Sequence, residues 1–159
     1  MMKLLAFCAS LFLADSAFAQ TSVALGGLSV DTSAAIEVSA DSLSIDQDTS
    51  TAIFDGNVII GQGDLRITAG QVEVIYGEDT SQIARLLASN GVTFVTTTEA
   101  AEAQQADYDI TTGLLVLTGE VLLTQGASAI SAGRMVINVT DGTALMDGRV
   151  RTILQQGDN

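Results

Sequence analysis

The stretch FDGNVIIGQGDLRITAGQVEVIY, residues 54–76, decides the fold, because the chain writes it a second time as LTGEVLLTQGASAISAGRMVINV, residues 117–139. The two copies align without a gap. Gly56/Gly119, Val58/Val121, Gln62/Gln125, Gly63/Gly126, Ile67/Ile130, Ala69/Ala132 and Gly70/Gly133 are identical, and Ile60/Leu123, Val72/Met135 and Val74/Ile137 exchange one apolar residue for another. An internal repeat means that one supersecondary unit has been stacked on itself. Within each copy the apolar residues recur every second position. Ala52, Phe54, Val58 and Ile60 oppose Asp55 and Asn57. Leu65, Ile67 and Ala69 oppose Asp64, Arg66 and Thr68, and Val72, Val74 and Tyr76 oppose Gln71, Glu73 and Ile75. This is the period of a strand with one buried face.

Outward from the repeat, the same period predicts strands over 36–45, 51–60, 64–69, 71–76, 83–88, 92–97, 105–110, 114–124, 128–131, 134–139 and 143–154. Turn residues punctuate them, among them the hairpin dipeptide Asn90-Gly91. Weaker echoes of the Gly-x-Val motif at Gly91-Val92 and Gly148-Arg149-Val150 extend the series begun by Gly56 and Gly119. Only Glu99–Gln105 has helical propensity. It is too short to stand as a helix alone, and a loop or strand entry fits it equally well. Many short strands at even spacing predict an all-β protein, a sandwich, jelly roll or barrel.

Lys3, the apolar run from Leu4 to Leu13 and Ala17-Phe18-Ala19 have the layout of a secretory signal peptide, residues 1–19. Bulky Phe7 beside Cys8 argues against lipid attachment at that cysteine. Residues 20–35 are small and polar and read as a flexible leader, 36–154 as one domain, and 155–159 as a disordered tail. Past residue 19 there is no Cys, His, Trp or Pro, and every cation is an arginine: Arg66, Arg85, Arg134, Arg149 and Arg151. The net charge of −13 argues against nucleic acid and anionic membrane surfaces as electrostatic partners. Export without disulfides points to the periplasm.

Without His or Cys past the signal segment, a nucleophile–histidine pair and a thiolate zinc site are excluded. The paired acids Asp46/Asp48, Asp107/Asp109 and Glu78-Asp79 could in principle hold a cation or share a proton, but solvated turns and outer faces account for them better. No enzyme activity, cofactor or metal is therefore expected. Gly61-Gln62-Gly63 lacks the lysine and helix of a phosphate loop, and its recurrence at Thr124-Gln125-Gly126 marks a structural turn.

Ala40-Asp41-Ser42-Leu43, then Ala52-Ile53-Phe54-Asp55-Gly56-Asn57-Val58, then Gln62-Gly63 and Ile67-Thr68-Ala69, with Leu117-Thr118-Gly119-Glu120-Val121 and Met146-Asp147-Gly148-Arg149-Val150-Arg151 later, resemble the OstA-like (LptA) family of lipopolysaccharide transport proteins. The resemblance covers about residues 36–154. It implies an open β-jellyroll of two antiparallel sheets that carries the acyl chains of lipopolysaccharide. It also implies head-to-tail stacking into a bridge across the periplasm, with LptC-like inner-membrane and LptD-like outer-membrane OstA domains as partners. The family's usual Pro and Lys content is missing here.

The inward set of such a roll would be Phe54, Val58, Ile60, Ile67, Val72, Val74, Val121, Leu123, Ile130, Met135 and Ile137. These are the candidate lipid-groove residues, and each reads equally well as ordinary sandwich core. Ile36, Val38 and Leu43 on the first strand and Val150, Thr152 and Leu154 on the last are the candidate assembly edges, since an unpaired edge is a template for another strand. A β-repeat or adhesin-like exported protein without a lipid ligand is the competing expectation. An Asp/Glu hydrolase is a remote third.

Overall fold

The computed structural model describes residues 21–24, 31, 33–78 and 82–153. The expected signal segment 1–19, the expected tail 155–159 and Asp79 lie outside the described residues. Thirteen strands form one continuous antiparallel sheet, and no helix occurs among the described residues. They are β1 Thr21–Ala24, β2 Ile36–Ser39, β3 Ser42–Asp46, β4 Thr51–Gln62, β5 Leu65–Tyr76, β6 Ile83–Ser89, β7 Val92–Val95, β8 Glu99–Ala103, β9 Gln105–Asp109, β10 Leu114–Gln125, β11 Ser128–Asn138, β12 Thr143–Asp147 and β13 Arg151–Ile153.

The registers reduce this list to a simple plan. β2 and β3 both pair with β4, on either side of its middle. β6 and β7 divide β5 in the same way, β8 and β9 divide β10, and β12 and β13 divide β11. The chain is therefore a meander of long strands, each bent at its midpoint along one common line. On one side of the line, β3, β6, β9 and β12 alternate with half-strands of β4, β5, β10 and β11 to make the first layer. On the other side, β2, β7, β8 and β13 do the same to make the second. The two layers fold onto each other as an open β-jellyroll, as expected.

The fold line explains the repeat. Opposite β5, β4 carries two residues, Gly56 and Asn57, against the single Gly70, so the register shifts between Asp55 and Val58. In the second copy Gly119 and Glu120 stand against Gly133, between Thr118 and Val121. Such a bulge bends the strand and increases its twist. Gly56 and Gly119 sit at φ of 80° and 83°, a left-handed conformation that a Cβ disfavours. Space forbids a side chain as well: a Cβ on Gly56 would lie 2.6 Å from Asp41 Oδ2, and one on Gly119 would lie 2.7 Å from Gln104 Oε1. The backbone then ties neighbours across the line. Asp41 N donates to Gly56 O at 2.9 Å, Gln104 N to Gly119 O at 3.0 Å and Gly133 N to Gly148 O at 2.7 Å. The glycines at 56, 91, 119 and 148 thus mark where every second long strand crosses the line. In β5 the buried phase slips there, from Ala69 to Val72, because the chain passes from one layer to the other.

Several expectations are corrected. The strands expected over 36–45 and 143–154 are each two strands in different layers, because Asp41 and Gly148 sit on the fold line. Thr21–Ala24, within the expected flexible leader, pairs with Thr143–Met146 as β1. Glu99–Ala103, which had helical propensity, is a strand: β7 and β10 offer open backbone groups on both sides, and tertiary pairing overrides a weak local preference.

Glu120 occupies the second bulge position at φ 49°, where the first copy has Asn57 at φ 48°. Asn tolerates this region better than Glu. Glu120→Asn should therefore raise stability by about 0.5–1 kcal/mol, read as a higher urea midpoint at unchanged slope. A lower midpoint would show that the bond from Gln104 Nε2 to Glu120 Oε2, 3.0 Å, outweighs the backbone term.

Candidate functional site

The space between the layers is lined by one apolar sheet face on each side. Nine of the eleven residues read as groove lining are buried there: Val58, Ile60, Ile67, Val72, Val74, Val121, Leu123, Met135 and Ile137, each no more than 2% exposed. Phe54 and Ile130 are partly buried against the same cluster. All eleven share one interior. Over most of that interior the side chains fill the space themselves, since water does not reach Val72, Val74, Phe94, Leu115, Met135 or Ile137. Burying such aliphatic side chains is worth roughly 1.5–3 kcal/mol each, so this layer is also what holds the fold closed.

The layer is not sealed at one edge. Leu43 pairs with Phe54 and Ile45 with buried Ala52. Antiparallel partners share a face, so Leu43 and Ile45 point inward. They are nevertheless 52% and 66% exposed. On the second layer, Ile36 and Val38 of β2, which pairs with the other half of β4, are only partly buried against the core. The apolar inner face therefore runs from Ala52 and Phe54 out to the solvent-exposed Leu43 and Ile45, and this β2/β3 edge is the mouth of the roll. Sequence reasoning placed Leu43 at an assembly edge but passed over Ile45; its even spacing from Leu43 was the available signal.

The assembly-edge residues fall as follows. Ile36 and Val38 lie on β2, at one edge of the second layer, and Leu43 lies on β3, at the edge of the first. Thr152 lies on β13, the opposite edge of the second layer, opposite Ile130. Val150 is not on a strand: it is in the link from β12 to β13, displaced by the corner at Gly148-Arg149. Leu154 lies outside the described residues.

Polar groups are scarce inside. Gln62, Thr96 and Glu99 are the buried polar residues among those described. Thr96 Oγ1 donates to Glu99 Oε2 at 2.9 Å and Gln125 Nε2 to Glu99 Oε1 at 3.0 Å. Tyr108, on the first layer, donates its hydroxyl to Gln62 Oε1 on the second at 3.0 Å. Burial pushes the Tyr108 hydroxyl above its ordinary value, which keeps the donor proton in place. None of these groups was singled out from the sequence for a role inside the roll. The shared Gln62/Gln125 repeat position was the only trace, and it read as a turn.

Apart from Glu99, the paired acids Asp46/Asp48 and Asp107/Asp109 lie on turns and outer faces. Asp46 Oδ1 accepts from Asp48 N at 2.9 Å, and Asp109 Oδ1 accepts from Thr112 N at 2.9 Å, which with further turn bonds holds its carboxyl below the usual range. Asp107 pairs with Arg85. No group of three or more metal-ligating side chains occurs among the described residues. Toward the far edge Arg134 meets Asp147 at 3.3 Å, while Arg149 and Arg151 have no acidic partner among the described residues.

Comparison with known proteins agrees with this architecture. Residues 37–143 match the model of a family described as LptA/(LptD N-terminal domain) LPS transport protein. An uncharacterized protein of Rhizobium meliloti (strain 1021) is 31% identical over 151 residues, 87% of this chain and 81% of that protein. Among solved structures, LptH of Pseudomonas aeruginosa, described as the LptA-homologous periplasmic component of the conserved lipopolysaccharide transport device, superposes with a TM-score of 0.71. It is 16% identical, with 80% of this chain and 99% of that chain covered; at that identity the likeness speaks for the fold alone. With most of the bent meander inside the matched span, the chain belongs to the LptA/(LptD N-terminal domain) family of lipopolysaccharide transport proteins.

Proposed function

We propose that this protein is a periplasmic carrier, not an enzyme, that holds the acyl chains of lipopolysaccharide between its two layers and passes them along a bridge of like domains. The observation that carries the reading is the mouth. A closed sandwich has no reason to leave Leu43 and Ile45 inward-facing and exposed at 52% and 66%, whereas a lipid conduit needs its apolar layer to reach solvent. Each methylene buried adds about 0.8 kcal/mol, so short lengths of chain suffice for affinity. The acids on the outer faces keep the phosphates of the lipid outside.

Leu43→Asp combined with Ile45→Asp tests the mouth without touching buried core. Lipopolysaccharide binding should fall roughly tenfold or more, the loss of about 1.4 kcal/mol of apolar contact, with the urea midpoint nearly unchanged. Binding equal to that of the unmodified chain would remove the mouth from the path and favour a β-repeat protein without a lipid ligand.

The edges fit a head-to-tail bridge. β2 and β13 end the second layer on opposite sides, so adding β13 of one copy to β2 of the next continues that layer, an arrangement that propagates. Glu37 on β2 and Arg151 on β13 give the two edges opposite charges. LptC-like and LptD-like OstA domains would join at the same edges. Because the chain has no cysteine past the signal segment, single cysteines at Glu37 and Arg151 should crosslink between copies when mixed, while either alone should not. Like-to-like crosslinks only would count against the bridge.

A further inference from the structure

The interior is apolar except at a few points, and at one of these the two layers are joined by a side-chain hydrogen bond. Tyr108 pairs with Leu86 and Leu115 in the middle of the first layer. Gln62 ends β4 in the second, next to Ile36 of the edge strand β2. The two residues are 2% and 1% exposed, and the Tyr108 hydroxyl donates to Gln62 Oε1 at 3.0 Å. Gln62 Nε2 is held in turn by the Ala34 carbonyl at 3.3 Å, which fixes the amide with its oxygen toward the tyrosine.

We propose that the Tyr108–Gln62 pair selects the lipid chain: it favours acyl chains bearing an oxygen function, a hydroxyl or an acyl-ester carbonyl, over plain hydrocarbon chains. This rests on the lipid-carrier reading above. The space between the layers is filled, so a chain enters by parting them, and parting them here separates a buried donor from a buried acceptor. A plain chain leaves the Tyr108 hydroxyl without an acceptor in an apolar setting, which is costly. A chain hydroxyl can accept from the Tyr108 hydroxyl and donate to Gln62 Oε1, and a carbonyl can accept from the tyrosine. A site built around hydrogen-bonding groups discriminates against ligands lacking the matching atom more strongly than an apolar pocket discriminates by size. Gln62 stands beside Ile36 of the edge strand β2, so the pair reaches from the middle of the first layer to the mouth side of the second.

The test is competition for a bound fluorescent fatty acid by tetradecanoic acid and by its 3-hydroxy and 12-hydroxy derivatives, on the full exported chain. A hydroxyl lowers the apolar character of a chain, so an indifferent groove binds the derivatives more weakly. The proposal expects at least one derivative to bind about tenfold more tightly than tetradecanoic acid. It expects Tyr108→Phe and, independently, Gln62→Leu to bring that ratio to one or below while tetradecanoic acid binds as well or better. The two variants guard against a folding defect in either. A pair that only ties the layers together would shift all three affinities alike and leave the ratio unchanged, and that result overturns the proposal. So does equal or weaker binding of both derivatives by the unmodified protein, which leaves the carrier reading standing. If neither these acids nor lipopolysaccharide bind, the carrier reading itself fails.

Discussion

Leu123→Glu should unfold the protein instead of yielding a folded variant with a damaged groove. Leu123 is 1% exposed and lies between Ala101 and Ile130 in the second layer. The substitution removes roughly 2–3 kcal/mol of apolar burial and leaves a carboxylate among aliphatic side chains. A buried, unpaired charge costs several kcal/mol more. The sum is comparable to the whole stability of a typical domain, about 5–15 kcal/mol. Ile60→Glu, the equivalent change in the first copy, should behave the same way, since Ile60 is 2% exposed between Val38 and Ile67. The contrast is Glu99, a native carboxylate at 3% exposure, which is tolerated because Thr96 and Gln125 donate to it. The cross-strand partners of Leu123, Ala101 and Ile130, offer no side-chain donor. Far-ultraviolet circular dichroism and a urea titration decide the matter. A folded Leu123→Glu with an unchanged midpoint would mean that water already reaches this row and that the groove stands open along its length.

The second large effect belongs to the fold line. Gly148→Val should cost about 3 kcal/mol and lower the melting temperature by roughly 10 °C. Gly148 sits at φ 80°, and a Cβ there would approach Gly133 Cα and N at 3.2 Å. The obstacle is backbone on the adjacent strand, itself bonded through Gly133 N to Gly148 O at 2.7 Å, so no side chain can rotate aside. Gly91→Val is the internal control. Gly91 has a similar φ of 82°, but nothing lies within 4 Å of its would-be Cβ, so only the torsional part applies. If the two substitutions cost the same, close packing at the fold line contributes nothing and the bend is a purely local conformational preference.

The variant Leu43→Asp/Ile45→Asp separates function from folding in a way that Leu123→Glu cannot. Leu43, Ile45 and Leu123 all face the same interior, from opposite layers. They differ in how far they are covered, and coverage is not a property of sequence period. An alternating pattern shows which residues share a face but not whether the opposite layer reaches over them.

The sequence by itself determined the all-β class, the alternating faces and the membership of all eleven inward residues in one interior, because a period of two is a local consequence of the extended backbone. It also marked glycines of the fold line, since Gly56, Gly119 and Gly148 each interrupt a strand as a bulge or bend would. Only the tertiary structure decided that these glycines align across neighbouring strands, so that Asp41, Gly56, Gly119 and Gly148 divide each strand between two layers. That alignment depends on register between segments distant in the chain, which no local pattern encodes. The same holds for Tyr108 and Gln62. They are 46 residues apart and on different layers, and their bond exists because folding along the line brings the two faces together.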